Sequence, residues 1–175
     1  MKHLNYFKIF EAIRIPKTKI NGIYYHGTVV KDKEVFRSFS FGYSDWDAIW
    51  FTDNEKVAEE FSDNAFRDEE NEYMIIYKVQ IKEKDIANID YSIFRRIEDE
   101  EGMDDMREYI PTLIKRGYSG WKTLGAVNSM QYDDIALFDL DNIKILSAKI
   151  KFKSNWTDYM ELGEIQDMLD PNLDH

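Results

Sequence analysis

Cysteine is absent from the sequence, which excludes disulfides, thiolate nucleophiles and thiolate-bound metals. Histidine is scarce: His3, His26 and His175 stand too far apart for a metal-ligating pair of the H-E-x-x-H kind. No apolar run approaches the roughly 18 residues that a membrane span needs, so a soluble protein without a membrane role is expected. The chain has no Walker-type loop and no G-x-G-x-x-G. Its Gly117-Tyr118-Ser119-Gly120 lacks the glycine register of a nucleophile elbow. Asp133, Asp134, Asp139 and Asp141 could meet a divalent cation, but their spacing is not that of an EF-hand loop, and no metal site is expected. No internal repeat, low-complexity tract or long linker divides the chain.

What is present is a chain of 175 residues, 43% hydrophobic and 15% aromatic, enough for one domain with a real core. The net charge of −11 argues against non-specific nucleic-acid or anionic-membrane binding, because phosphate contacts need clustered Lys and Arg. The charge is unevenly spread. Residues 1–20 carry five basic side chains against Glu11, whereas residues 158–175 carry six acids and no Lys or Arg. A second acidic block runs from Glu98 to Asp105. Such runs ordinarily form solvated faces or loops.

Apolar periodicity predicts a strand over Ile23–Thr28, preceded by a turn at Asn21-Gly22, and a second strand over Ala48–Thr52. A helix is predicted from Asn54 to about Ser62, capped by Asp53, with Val57, Ala58 and Phe61 on its apolar face. Glu72–Ile81 reads as a third strand. One or two helices follow over Tyr91–Arg116, with Met106, Tyr109, Leu113 and Ile114 inward and Pro111 restarting or kinking the segment. Gly117–Trp121 is a turn into a strand, Tyr132–Asp139 is a strand, and Ile143–Phe152 is a last strand at or near an edge. Trp156–Leu169 is predicted as a C-terminal helix within an acidic tail over residues 153–175.

Within the first strand, Tyr24-Tyr25-His26-Gly27-Thr28 presents an imidazole, a bare backbone and a hydroxyl at one point. Gly27 there marks a bulge or a close approach to the main chain. Taken alone, the triplet better suits an ordinary strand with a surface histidine. At the N-terminus, Leu4, Phe7, Ile9 and Phe10 are spaced for one face of a short helix, which could simply dock on the domain. The segment also resembles the capsid-targeting leaders of internal head proteins of large tailed bacteriophages. In those leaders a protease cuts after a hydrophobic-any-Glu pattern, which Ile9-Phe10-Glu11 before Ala12 matches. That resemblance implies a leader over residues 1–11, a domain over 12–152, packaging inside a virion and later release into the host cytoplasm.

His26-Gly27-Thr28, then Ile49-Trp50-Phe51-Thr52-Asp53 leading into a helix, then Tyr132–Asp139 resemble, in that order, the motifs of the ADP-ribosyltransferase-like superfamily. The match is to its His-Tyr-Glu branch of diphtheria-type toxins and poly-ADP-ribose polymerases. Gly117–Trp121 is similar to a turn of its phage and mobile-element members. The resemblance spans residues 22–148. It implies an α+β fold with two packed, mostly antiparallel sheets around an NAD cleft. It further implies a mono-ADP-ribosyltransferase that moves ADP-ribose from NAD, its substrate, to a host protein or nucleic-acid acceptor. Under it His26 holds the ribose hydroxyls, Gly27 pairs the nicotinamide amide, and Thr28 adds a hydroxyl contact. Trp50, in the place of the family's Tyr, stacks on nicotinamide, with Phe39 or Tyr43 on the opposite side. Asp134 stands where the family has Glu, with Asp133 as a substitute should a bulge shift the register. An Asp is shorter by one C–C bond, about 1.5 Å, and a 1 Å misplacement can cost on the order of a hundredfold in rate. The alternative is therefore a catalytically inactive member that binds a nucleotide or a host protein.

Overall fold

The computed structural model describes residues 13–31, 35–40, 48–66, 72–102, 106–123, 134–152 and 155–169. The expected leader over residues 1–11, together with Tyr43, Asp133 and residues 170–175 of the acidic tail, lies outside them. The fold is α+β. Strands β1 (Lys17–Lys31), β2 (Ile49–Thr52), β3 (Glu72–Ile89), β4 (Gly120–Thr123), β5 (Asp134–Leu137), β6 (Ile143–Phe152) and β7 (Asn155–Trp156) form a mixed seven-stranded sheet. Helices α1 (Glu55–Ala65), α2 (Tyr91–Glu101), α3 (Ile110–Lys115) and α4 (Leu162–Leu169) accompany it among the described residues. The chain divides into two compact units that interleave in sequence.

Of the described residues, the first unit takes 13–20, 48–50, 83–102, 106–123 and 134–140. Here β4 lies between the C-terminal part of β3, to which it is parallel, and β5, to which it is antiparallel. Ile93, Ile97, Tyr109, Ile110 and Leu113 of the helical stretch bury with Ile13, Ile15, Ala87, Ile89, Trp121 and Ala136. Asp90 caps α2 by accepting the Ile93 N–H at 2.9 Å, and Gly102 closes the helix in the left-handed region at φ 65°. Pro111 sits in the first turn of α3, where its missing N–H costs nothing, so it restarts the helix as expected. Ile114, expected inside, is 45% exposed, because the short α3 turns Ile110 and Leu113 to the core instead. Arg116 donates to Ile13 O at 2.8 Å and the Tyr118 hydroxyl donates to Ile15 O at 2.7 Å, which anchors residues 13–15.

Of the described residues, the second unit takes 21–31, 35–40, 51–66, 72–82, 141–152 and 155–169. β1 pairs antiparallel with β2 at Tyr25 and Thr52. β3 pairs antiparallel with β6 from Ile75–Ile150 to Ile81–Ile143, the ladder stepping between Lys78 and Val79. β6 continues into a hairpin with β7. α1 is capped by Asn54, whose side chain accepts the Lys56 N–H at 3.0 Å, rather than by Asp53. Lys149 on β6 is 7% exposed; its ammonium meets both Glu55 and Glu59, the latter at 2.9 Å, and lies 5.1 Å from the Trp156 ring centre. Trp156 belongs to the hairpin, so the C-terminal helix begins six residues later than the sequence pattern predicts, at Leu162.

Candidate functional site

His26, Gly27 and Thr28 lie within β1 in the second unit. Because side chains alternate along a strand, His26 and Thr28 share one face, while Tyr25 and Gly27 share the other. The Gly27 face is covered by α1: a Cβ built on Gly27 would stand 1.6 Å from the Ala58 carbonyl oxygen and 2.6 Å from its carbon. The close approach that glycine permits here is therefore that of a helix backbone. The sequence offered a bulge or a ligand as its cause; a helix carbonyl fills that space.

On the opposite face the His26 imidazole, half-buried, stands among aromatic rings. Phe39 meets it edge-on with centres 5.1 Å apart, Phe51 lies at 5.5 Å and Tyr77 at 6.4 Å. Phe39 also meets Phe51 at 5.4 Å and Tyr77 at 5.5 Å, both edge-on, so the rings support one another. The phenol of the fully buried Tyr77 is pushed up by burial, against the opposing pull of the Phe36 N–H that it accepts. Phe39, expected as one wall of a nicotinamide sandwich, is thus at the imidazole. Phe51 and Tyr77 were not picked out from the sequence. Tyr77 reads there only as a strand residue, and Phe51 stands beside Trp50, which occupies the position of the family's Tyr. Alternation was the available signal: in an antiparallel β1–β2 pair with Tyr25 opposite Thr52, the β2 side chain on the face of His26 is Phe51.

Trp50 and Asp134 lie in the first unit. The Trp50 ring packs edge-on against Trp121, with centres 5.2 Å apart, and Trp121 meets Phe138 in the same manner at 5.8 Å. The β4–β5 register places Trp121 opposite Ala136 and Thr123 opposite Asp134, so these four share one face. Trp50 and Asp134 are thereby brought to the Trp121 side of this unit's strands. Asp134 opens β5 as expected and is 8% exposed, with the Thr123 hydroxyl 3.5 Å from its backbone carbonyl. Among the described residues no group of three or more acidic or histidine side chains could hold a metal, and no helix is long and apolar enough to cross a membrane.

A second titratable group lies on the Gly27 side of the second unit. Lys149, between Glu55 and Glu59, is 5.5 Å from the Tyr159 ring centre, and Tyr159 is 6.3 Å from Tyr25. Burial, and then Glu55, push the Tyr25 and Tyr159 phenols upward. These groups tie α1, β6 and the segment after β7 together.

No protein-family model matches the chain, and no curated protein matches it in sequence. A solved structure similar to it is the crystal structure of the M. tuberculosis MbcT–MbcA toxin–antitoxin complex. That match is 9% identical, covers 93% of this chain and 95% of the other, and has a TM-score of 0.46. A likeness at that level assigns neither fold nor activity.

Proposed function

We propose that the chain is an NAD-dependent mono-ADP-ribosyltransferase whose ribose and nicotinamide clamp is built on His26 and Thr28, with the main-chain N–H and C=O of Gly27 pairing the nicotinamide amide. The observation that carries this reading is the imidazole of His26, set among the rings of Phe39, Phe51 and Tyr77 on the face of β1 that it shares with Thr28. A donor–acceptor pair beside flat apolar surfaces suits a sugar joined to a planar amide ring. His26 would orient the ribose hydroxyls. Phe39 and Phe51 offer stacking surfaces near it, and Tyr43 keeps the stacking role that the motif resemblance implies, whereas Trp50 alternates to the opposite face of β2 and packs on Trp121. Cleavage of the nicotinamide–ribose bond develops oxocarbenium character at the sugar. Asp134 is the carboxylate assigned to stabilise that charge. An NAD cleft, a protein or nucleic-acid acceptor and delivery from a phage head belong to the same proposal. Mass spectrometry of virions tests the delivery: a chain starting at Ala12 supports it, and a full-length chain defeats it.

A second reading, binding without catalysis, is favoured by the burial of Asp134 and its short side chain. Incubation with labelled NAD and host lysate separates the two. Label transfer or nicotinamide release establishes the enzyme. NAD binding by calorimetry without either outcome establishes the inactive relative.

A further inference from the structure

The backbone of residues 35–40 is held by two side chains from distant parts of the second unit. The Val35 N–H donates to Gln166 Oε1 of α4 at 3.2 Å, and the Phe36 N–H donates to the Tyr77 hydroxyl oxygen at 2.8 Å. Phe36 also stacks on Tyr77, with planes 14° apart and centres separated by 5.8 Å. Three residues on, Phe39 turns back onto Tyr77, Phe51 and His26. Two successive backbone N–H groups and two rings therefore fix this short segment, and its last fixed ring is the one against the imidazole. Tyr77 is fully exposed to none of the solvent, at 0%, and sits in a strand paired with β6, so it is a rigid post. Gln166 is half-buried on α4, beside the buried Ile165.

We propose that Tyr77 and Gln166 are positioning residues that hold residues 35–40 as a cover on His26, so that the C-terminal helix α4 controls access to the imidazole. This rests on the reading of His26 as a site residue. A ligand that reaches the imidazole from this side must displace the Phe39 edge or lie against it, and the segment yields only when its anchors to β3 and α4 yield. Loss of α4 would then open the site without touching any residue that contacts substrate.

Carbethoxylation of histidine in the full-length chain, followed by peptide mass spectrometry, reads access to His26 without NAD, with His3 and His175 as references in the same sample. Removing one hydrogen bond shifts an opening equilibrium by about 2- to 10-fold. Tyr77→Phe and Gln166→Ala are each expected to raise the His26 rate by that factor, and the double variant by about the product. Tyr77→Phe keeps the stacked ring, and Gln166→Ala tests the same cover from α4 should the first variant fold poorly. The His26 ring protons should move toward unstructured chemical shifts in both variants, while methyl signals from Ile93, Ile97 and Leu113 of the other unit stay in place. Unchanged His26 reactivity and shifts in both variants would overturn the proposal. Titration of the unmodified chain with NAD is a separate arm. Failure to bind there defeats the functional reading and leaves the reactivity result to decide the cover.

Discussion

Replacing Gly27 by alanine separates a glycine kept for packing from one kept for a ligand. The added Cβ would lie 1.6 Å from the Ala58 carbonyl oxygen, whereas a carbon–oxygen contact relaxes at about 3.3 Å, so a gap of roughly 1.7 Å must open. The obstacle is helix backbone and cannot rotate aside. Val57, Ala58 and Ser62 of α1 are buried, and Glu55 and Glu59 are tied to Lys149, so the helix must move as a body. Overpacking of a core commonly costs about 1–3 kcal/mol, and a backbone clash belongs at or above the top of that range. A loss of about 3 kcal/mol in a domain of this size lowers Tm by about 6–12 °C. Gly163→Ala is the matched control: a Cβ there meets nothing within 4 Å, and alanine in the first turn of α4 should stabilise by up to about 0.5–1 kcal/mol. Thermal unfolding followed by circular dichroism measures both. A Gly27→Ala Tm within about 1 °C of the parent, with NAD binding lost, would refute the packing argument and return the glycine to the ligand.

Lys149→Met leaves Glu55 and Glu59 facing one another on α1 without their cation. Breaking a buried pair costs about 3–5 kcal/mol, but the two carboxylates are about a third exposed, so about 2–3 kcal/mol is expected in denaturant unfolding. Adding Glu55→Gln and Glu59→Gln should restore part of the loss; further destabilisation would contradict the pairing. Asp90→Ala removes the cap of α2 and should cost about 1 kcal/mol. The Ser92 hydroxyl, then the Ile93 N–H, hold the Asp90 carboxyl below its ordinary value of 3.8. Its contribution is therefore complete above that value and lost as pH falls through the lower folded one; a parent–variant difference that grew as pH fell below 3.8 would count against this. Tyr118→Phe frees the Ile15 carbonyl and should cost about 1 kcal/mol, with faster proteolysis near residues 13–16.

Sequence periodicity located most of the elements but not their lengths. The last long strand, Ile143–Phe152, has the bounds its alternation predicts, and Pro111 restarts the helical stretch as its chemistry requires. β1 begins at Lys17, through an Asn21-Gly22 pair that locally favours a turn, because strand pairing outweighs local preference. β3 runs on through Lys82-Glu83-Lys84-Asp85 to Ile89, where charges hide a strand whose C-terminal part pairs with β4. At the candidate site His26 was legible as a strand residue next to a necessary glycine. The reason for the glycine was not, since a helix carbonyl that folds back over a strand leaves no mark at short range. The aromatic surroundings of His26 come from three separate segments, and only the register of β1 against β2 selects Phe51 over Trp50 for that face.

Release of nicotinamide from NAD by the full chain, compared with His26→Ala, tests the proposed activity most directly. Release by the parent is expected, with a loss of about a hundredfold or more in the variant when the ribose is no longer oriented. A parent chain that neither binds NAD nor releases nicotinamide, or a His26→Ala variant as active as the parent, would contradict it.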